Sequence, residues 1–117
     1  MTDRDPDCLF CRIVAGEVPS DQVHADDEVL AFRDISPQAP THVLIIPRRH
    51  IPDADSLSSD DGPLLERIFS VARDVAARDG LRSGYRVVTN VGPDAGQSVF
   101  HLHFHLVGGR RMSWPPG

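Results

Sequence analysis

Cysteine occurs only twice in the 117 residues, as Cys8 and Cys11. A disulfide between positions so close would close no useful structural loop, so a disulfide framework is excluded and the pair points instead to a reducing compartment and to metal or redox chemistry. Long apolar runs are absent too. The stretch Val43 to Ile46 is as long as any and far too short to cross a bilayer. Met1 to Asp7 is acidic and lacks the basic-then-apolar order of a signal peptide, so a soluble, cytoplasmic protein without membrane association is expected. Dense basic runs are missing, and the formal net charge is -5. Binding to nucleic acid by phosphate neutralisation is therefore excluded. A small anionic ligand is not, because a local site need not share the sign of the whole surface. Internal repeats, low-complexity tracts and linkers are also lacking, and a 40% hydrophobic content is ordinary for one globular domain.

What is present is punctuated. Asp7 can cap a short helix over Cys8 to Ala15 that Gly16 stops. Val29 to Arg33 and His42 to Ile46 read as strands, set off by Pro37, Pro40 and Pro47. One long helix is expected from Gly62 or Pro63 to Arg78, ending at Gly80, with Leu64, Leu65, Ile68, Phe69, Ala72, Val75 and Ala76 on its buried stripe. Tyr85 to Val91 and Val99 to Val107 supply two further strands. The simplest architecture is α+β, an antiparallel sheet with helices on one face.

The last strand carries the strongest chemical signal. His101, His103 and His105 alternate with Leu102, Phe104 and Leu106, which on a strand places three imidazoles on one face roughly 7 Å apart. Each imidazole can serve near neutral pH as nucleophile, general acid, general base or metal ligand. Gly92, Gly96 and Gln97 precede them in a loop whose backbone N–H groups could approach an anion, although glycines there serve equally well as turn formers. Cys8-Leu9-Phe10-Cys11 is by spacing half of a zinc site, whose other half would come from distant histidines such as His50 and His101; a reactive dithiol or two inert buried thiols are the alternatives. Asp34 to His42 reads as a turn-rich loop carrying one carboxylate and one imidazole.

The run His101 to Val107 fits the pattern His-φ-His-φ-His-φ-φ, with φ apolar, at every position. Together with Asp34 to His42, Gly84 to Asn90, Ala95 to Ser98 and Gly108 to the terminal Trp114-Pro115-Pro116-Gly117, it resembles the histidine triad (HIT) family, and its Hint branch in particular. The resemblance covers nearly all of residues 8–117 as one domain, behind a flexible start over residues 1–7. It implies a HIT-like fold: a five-stranded antiparallel sheet with two helices, paired about a two-fold axis into a homodimer with a ten-stranded sheet.

The implied activity is hydrolysis of the P–N bond of purine nucleoside 5′-phosphoramidates through a covalent nucleotidyl-histidine. Position by position, the resemblance makes His103 the nucleophile and His105 a phosphoryl-oxygen ligand, with His42 as a further member of the catalytic set. Ser98 falls beside the departing amine. Gly96, Gln97 and Ser98 match the phosphate-binding loop and Asn90 its buttress, Asp34 the ribose ligand, and Phe10, Ile13, Phe32 and Ile35 the base pocket. Trp114 would reach the partner protomer's site. The cysteines depart from animal Hint proteins and resemble bacterial members, in which Cys8, Cys11, His50 and His101 would hold a structural zinc. Two other functional classes are compatible with these residues: a zinc-dependent hydrolase using a metal-bound water, and a non-catalytic adaptor that binds adenine nucleotides.

Overall fold

The computed structural model describes residues 4–117. Its centre is a pair of antiparallel strands with almost no polar side chains, β2 (Val29–Arg33) and β3 (Thr41–Pro47). A strand that is apolar at every position must be covered on both faces, and these are. Val29, Ala31, Val43 and Ile45 form one core with Ile68, Val71, Ala72, Val75 and Ala76 of the long helix α2 (Gly62–Arg78). Leu30, Phe32, Leu44 and Ile46 form the other with Phe10, Cys11 and Ile13 of the short helix α1 (Leu9–Val14). The two helices thus lie on opposite faces, not on one face as the simplest reading of the sequence expects. The unbroken apolar runs are the physical reason.

The sheet is five-stranded and antiparallel, in the order β1-β2-β3-β5-β4. β4 (Tyr85–Val88) and β5 (Phe104–Gly108) both end or begin short of the expected spans. β1 (Gln22–Ala25) is a short edge strand with an irregular register, and of its side chains Val23 packs on the core. So weak an apolar pattern gave no strand signal. A bidentate Arg33–Asp79 pair at 2.9 and 3.1 Å, with a Thr41 hydroxyl donating to the same carboxylate at 2.7 Å, ties the loop end of the β2–β3 hairpin to the end of α2.

α1 is capped by Cys8, whose Sγ accepts the Cys11 N–H at 3.3 Å, and not by Asp7 as expected. On α2 the buried stripe includes Val71, while Phe69, expected within it, is half exposed at its margin with its ring edge-on to Phe104. Of the loose start expected over residues 1–7, positions 1–3 lie outside the described residues; Arg4 reaches Glu17 at 2.7 Å. No helix among the described residues is long and apolar enough to cross a membrane.

Candidate active site and metal centre

The histidine alternation holds although the β5 ladder begins only at Phe104. Leu102, Phe104 and Leu106 face α2 in one core, while His101 and His103 turn to the α1 side, against the ring of Phe10 at 5.9 and 5.1 Å. The ladder stops early for a local reason. β3 pairs Ile45 with Phe104, so the next residues would bring Pro47 to Leu102. Pro47 has no N–H to give, its carbonyl accepts from the His101 ring at 2.8 Å, and the Leu102 amide turns to the carbonyl of Ile51 instead. On the other side the Thr89 hydroxyl donates to the His103 carbonyl at 2.8 Å. No sequence signal marks Thr89 or Pro47, because Thr89 acts on a backbone carbonyl and Pro47 through its own.

Fixed donors and acceptors assign the proton positions on three imidazoles. A carbonyl can only accept, so the His103 ring donates from Nδ1 to the His101 oxygen at 2.7 Å, and its Nε2 carries the free lone pair. An amide N–H can only donate, so the Gln38 amide, 3.0 Å from His42 Nδ1, makes that nitrogen an acceptor. Neutral His42 then donates from Nε2 to His105 Nδ1 at 2.9 Å, which places the His105 proton on Nε2. The result is a lone pair on His103 beside an N–H on His105, with the two rings 5.1 Å apart. Asp34 stands behind this relay, its Oδ2 3.5 Å from His42 Nε2 and its Oδ1 accepting from the Ser36 amide at 2.8 Å.

Burial keeps the triad neutral. His103 is pushed below the usual histidine range chiefly by loss of solvent. His105 is brought down to about 4 by burial first and by His103 and His42 next. An uncharged His103 is the form able to attack an electrophile.

The remaining histidine of the run belongs to a second constellation. His101 Nδ1 lies 3.4 Å from Cys8 Sγ and 3.6 Å from Cys11 Sγ, and His50 Nδ1 lies 3.3 Å from Cys11 Sγ. Ligand atoms around a tetrahedral zinc, with bonds of about 2.0–2.3 Å, sit about 3.3–3.8 Å apart, and these separations fall there. All four donor atoms are within 4.8 Å of one another. The His101 Nε2–H given to Pro47 leaves Nδ1 bare toward the group, and each sulfur accepts a backbone N–H, Cys8 from Cys11 at 3.3 Å and Cys11 from Asp5 at 3.4 Å. Such outer bonds orient metal ligands and favour the thiolate. Two sulfurs and two nitrogens with no open position fit a structural zinc.

The other residues singled out from sequence divide into those brought to the triad and those apart from it. Phe10, Ile13 and Phe32 are buried together, Phe10 and Phe32 meeting edge-to-face at 5.7 Å, whereas Ile35 is fully exposed outside that cluster. Gln97 is buried with its side chain fully engaged, accepting from the Gly92 amide and donating to the carbonyls of Pro52 and Val99. It shapes the loop from within. Gly92 and Gly96 hold positive φ of 84° and 90° there, which a side chain would strain, and Ser98 follows on the exposed side. Asn90 is half buried and Trp114 is exposed at 82%.

The chain is similar over nearly its whole length to proteins of one kind. A 14 kDa zinc-binding protein of Zea mays is 48% identical over 115 residues, 97% of this chain and 90% of that protein. An uncharacterized HIT-like protein of Synechococcus elongatus is 46% identical over 111 residues, 95% of this chain and 97% of that one. Among solved structures, a HIT family hydrolase from Legionella pneumophila superposes with a TM-score of 0.93 at 52% identity, covering 95% of this chain and all of its own. A HIT family hydrolase from Clostridium thermocellum gives 0.90 at 44%, covering 93% and 96%. The HIT domain model matches residues 15–112, triad included, and the chain belongs to the HIT family.

Proposed function

We propose that this protein hydrolyses purine nucleoside 5′-phosphoramidates at the P–N bond through a nucleotidyl-His103 intermediate. The observation that carries the reading is the fixed pairing of a bare Nε2 on neutral His103 with an Nε2–H on His105. His103 Nε2 forms a bond to the α-phosphorus while the P–N bond breaks and its electron pair leaves with the amine, which takes up a proton. Ser98 would deliver that proton, a step typically worth about 10²–10⁴-fold. The His105 N–H meets the non-bridging oxygens as their charge builds. Water then attacks the same phosphorus, the P–N bond to His103 breaks, and the nucleoside monophosphate leaves with His103 neutral again.

Asp34 has two carboxylate oxygens for the adjacent ribose hydroxyls. Asn90, Gly96, Gln97 and Ser98 frame the phosphate loop, and Phe10, Ile13, Phe32 and Ile35 are the apolar residues for the base. The protein also binds one zinc at Cys8, Cys11, His50 and His101, as the Cys₂His₂ geometry and the zinc-binding maize relative support. The metal is structural and takes no part in the chemical step. A cytoplasmic homodimer with Trp114 entering the partner's site completes the reading.

The test is release of AMP from adenosine 5′-phosphoramidate by the wild type and by His103→Ala. Turnover that collapses in the variant is expected. A folded wild type without turnover would refute the phosphoramidase and leave a nucleotide-binding adaptor, and activity that tracks metal content while surviving His103→Ala would make the protein a zinc hydrolase.

A further inference from the structure

Asp34 and His42 stand at the two ends of the loop between β2 and β3, and each follows a residue that points the other way. Strand alternation puts Arg33 and Thr41 on the face of Ala31 and Val43, against α2, and Asp34 and His42 on the face of Phe32 and Leu44, with the triad. Behind the site, on the α2 face, one carboxylate joins both loop ends. Asp79 takes the Arg33 guanidinium on its two oxygens at 2.9 and 3.1 Å and the Thr41 hydroxyl at 2.7 Å.

The helix itself gives no reason for an acid there. Asp79 is the C-cap of α2, where the aligned peptide dipoles leave partial negative charge and a carboxylate is unfavourable. Its favourable partners are the two strand ends. On the triad face the loop is bonded through their neighbours: the Asp34 amide donates to the His42 carbonyl at 2.9 Å, Asp34 Oδ1 accepts the Ser36 amide at 2.8 Å, and the Gln38 amide donates to His42 Nδ1 at 3.0 Å. The last bond keeps the His42 proton on Nε2 and so sets the proton of His105. Arg110 reaches the middle of the loop, at the Gln38 carbonyl, whereas Asp79 holds its ends.

We propose, building on the reading of Asp34 and His42 as site residues, that Asp79 is a positioning residue: from the opposite face of the sheet it fixes both through their chain neighbours Arg33 and Thr41. A planar guanidinium held on two oxygens has little freedom to slide, and the Thr41 hydroxyl on the same carboxylate locks the second strand to the first. With the clamp released, the strand ends can separate and the Gln38 amide can leave the His42 ring. Misplacement on the scale of 1 Å can cost a site about 10²-fold in rate.

Ring-nitrogen chemical shifts of the zinc-loaded, 15N-labelled protein test the assignment. In Asp79→Asn the His42 and His105 nitrogens should move toward the average of the two tautomers, while His103, held by the His101 carbonyl, keeps its Nδ1 proton. Arg33→Gln should act in the same direction, with Arg33→Lys between it and wild type, and this pair decides the matter if Asp79→Asn does not fold. Arg67→Gln cuts the ion pair to Asp26 at the opposite end of β2 and should leave all three rings unchanged. Unmoved His42 and His105 signals in the folded clamp variants would overturn the proposal, and so would equal movement in Arg67→Gln, which would reduce the effect to lost stability. Where the phosphoramidate is turned over, kcat/KM should fall by up to about 10²-fold in Asp79→Asn. Ring shifts in a protein without turnover would keep the clamp and refute only the activity, whereas turnover with unmoved rings would refute the clamp alone.

Discussion

Replacing Phe10 with alanine should destabilise the protein by about 4 kcal/mol, within the range of about 3–5 for buried Phe-to-Ala changes. Its side chain is 4% exposed and lies edge-on to three rings: Phe32 at 5.7 Å, His101 at 5.9 Å and His103 at 5.1 Å. Helix α1 has six residues, well below the roughly 12–15 an isolated helix needs, so it stays folded only by what its buried face and its cysteines hold. With a urea dependence of about 2 kcal/mol per molar for a domain of this size, the unfolding midpoint should drop by about 2 M, measured with zinc present throughout. Phe10→Leu keeps most of the volume and loses the three ring edges, each worth about 0.5–1.5 kcal/mol, and at the lower bound should cost about 1.5 kcal/mol. A midpoint change under about 0.5 M in Phe10→Ala would refute the view that this ring locks α1 onto the sheet.

Three further outcomes also concern stability. His105, brought down to about 4 in the folded protein against 6.5 unfolded, binds fewer protons folded than unfolded between those values. Stability should therefore fall as pH drops from 6.5 toward 4, and the urea midpoints of His105→Gln should fall less steeply over that window. Thr89→Val removes the donor to the His103 carbonyl and should cost about 1–2 kcal/mol, with a calorimetric melting point as the readout and an unchanged value as the refutation. Gly109→Ala forces a side chain onto φ +91°, with its Cβ 2.9 Å from that of Pro40, and should cost about 1–3 kcal/mol; wild-type stability would show that the turn relaxes freely.

The sequence was legible where one face of an element had to be apolar. His101 to Val107 declared its two faces, and α2 its ends, through Pro63, Gly80 and a helical repeat. It was silent where the decisive partner is a backbone group. Nothing in Gln38, Pro47 or Thr89 announces that an amide, a carbonyl and a hydroxyl-to-carbonyl bond set the protonation and direction of three imidazoles. β1, with little but Val23 facing the core, lacked the alternation that marks a strand. The placement of α1 opposite α2 could have been inferred from the unbroken runs Val29 to Phe32 and Val43 to Ile46, since neither face of such strands tolerates water.

His101 joins the two constellations, and this gives metal removal a specific consequence. Its Nδ1 faces the cysteines, its Nε2–H is given to Pro47, and its own carbonyl accepts the His103 Nδ1–H at 2.7 Å. A metal holding the His101 ring therefore also holds the oxygen that keeps the His103 lone pair on Nε2. Stripping zinc with a chelator, well below the unfolding temperature, should let the 101–103 segment shift and the His103 ring populate its other tautomer. Nitrogen chemical shifts of the imidazoles would show this directly, and turnover should fall mainly in kcat, because the hydrogen bonds of Asp34 and of Gln97 in the loop at 92–98 go to groups other than the sulfurs and His101. Zinc should restore both. A chelated protein that stays folded, with His103 still protonated on Nδ1 and kcat unchanged, would show that the Pro47 and Thr89 bonds suffice to position the nucleophile and that the metal serves α1 alone.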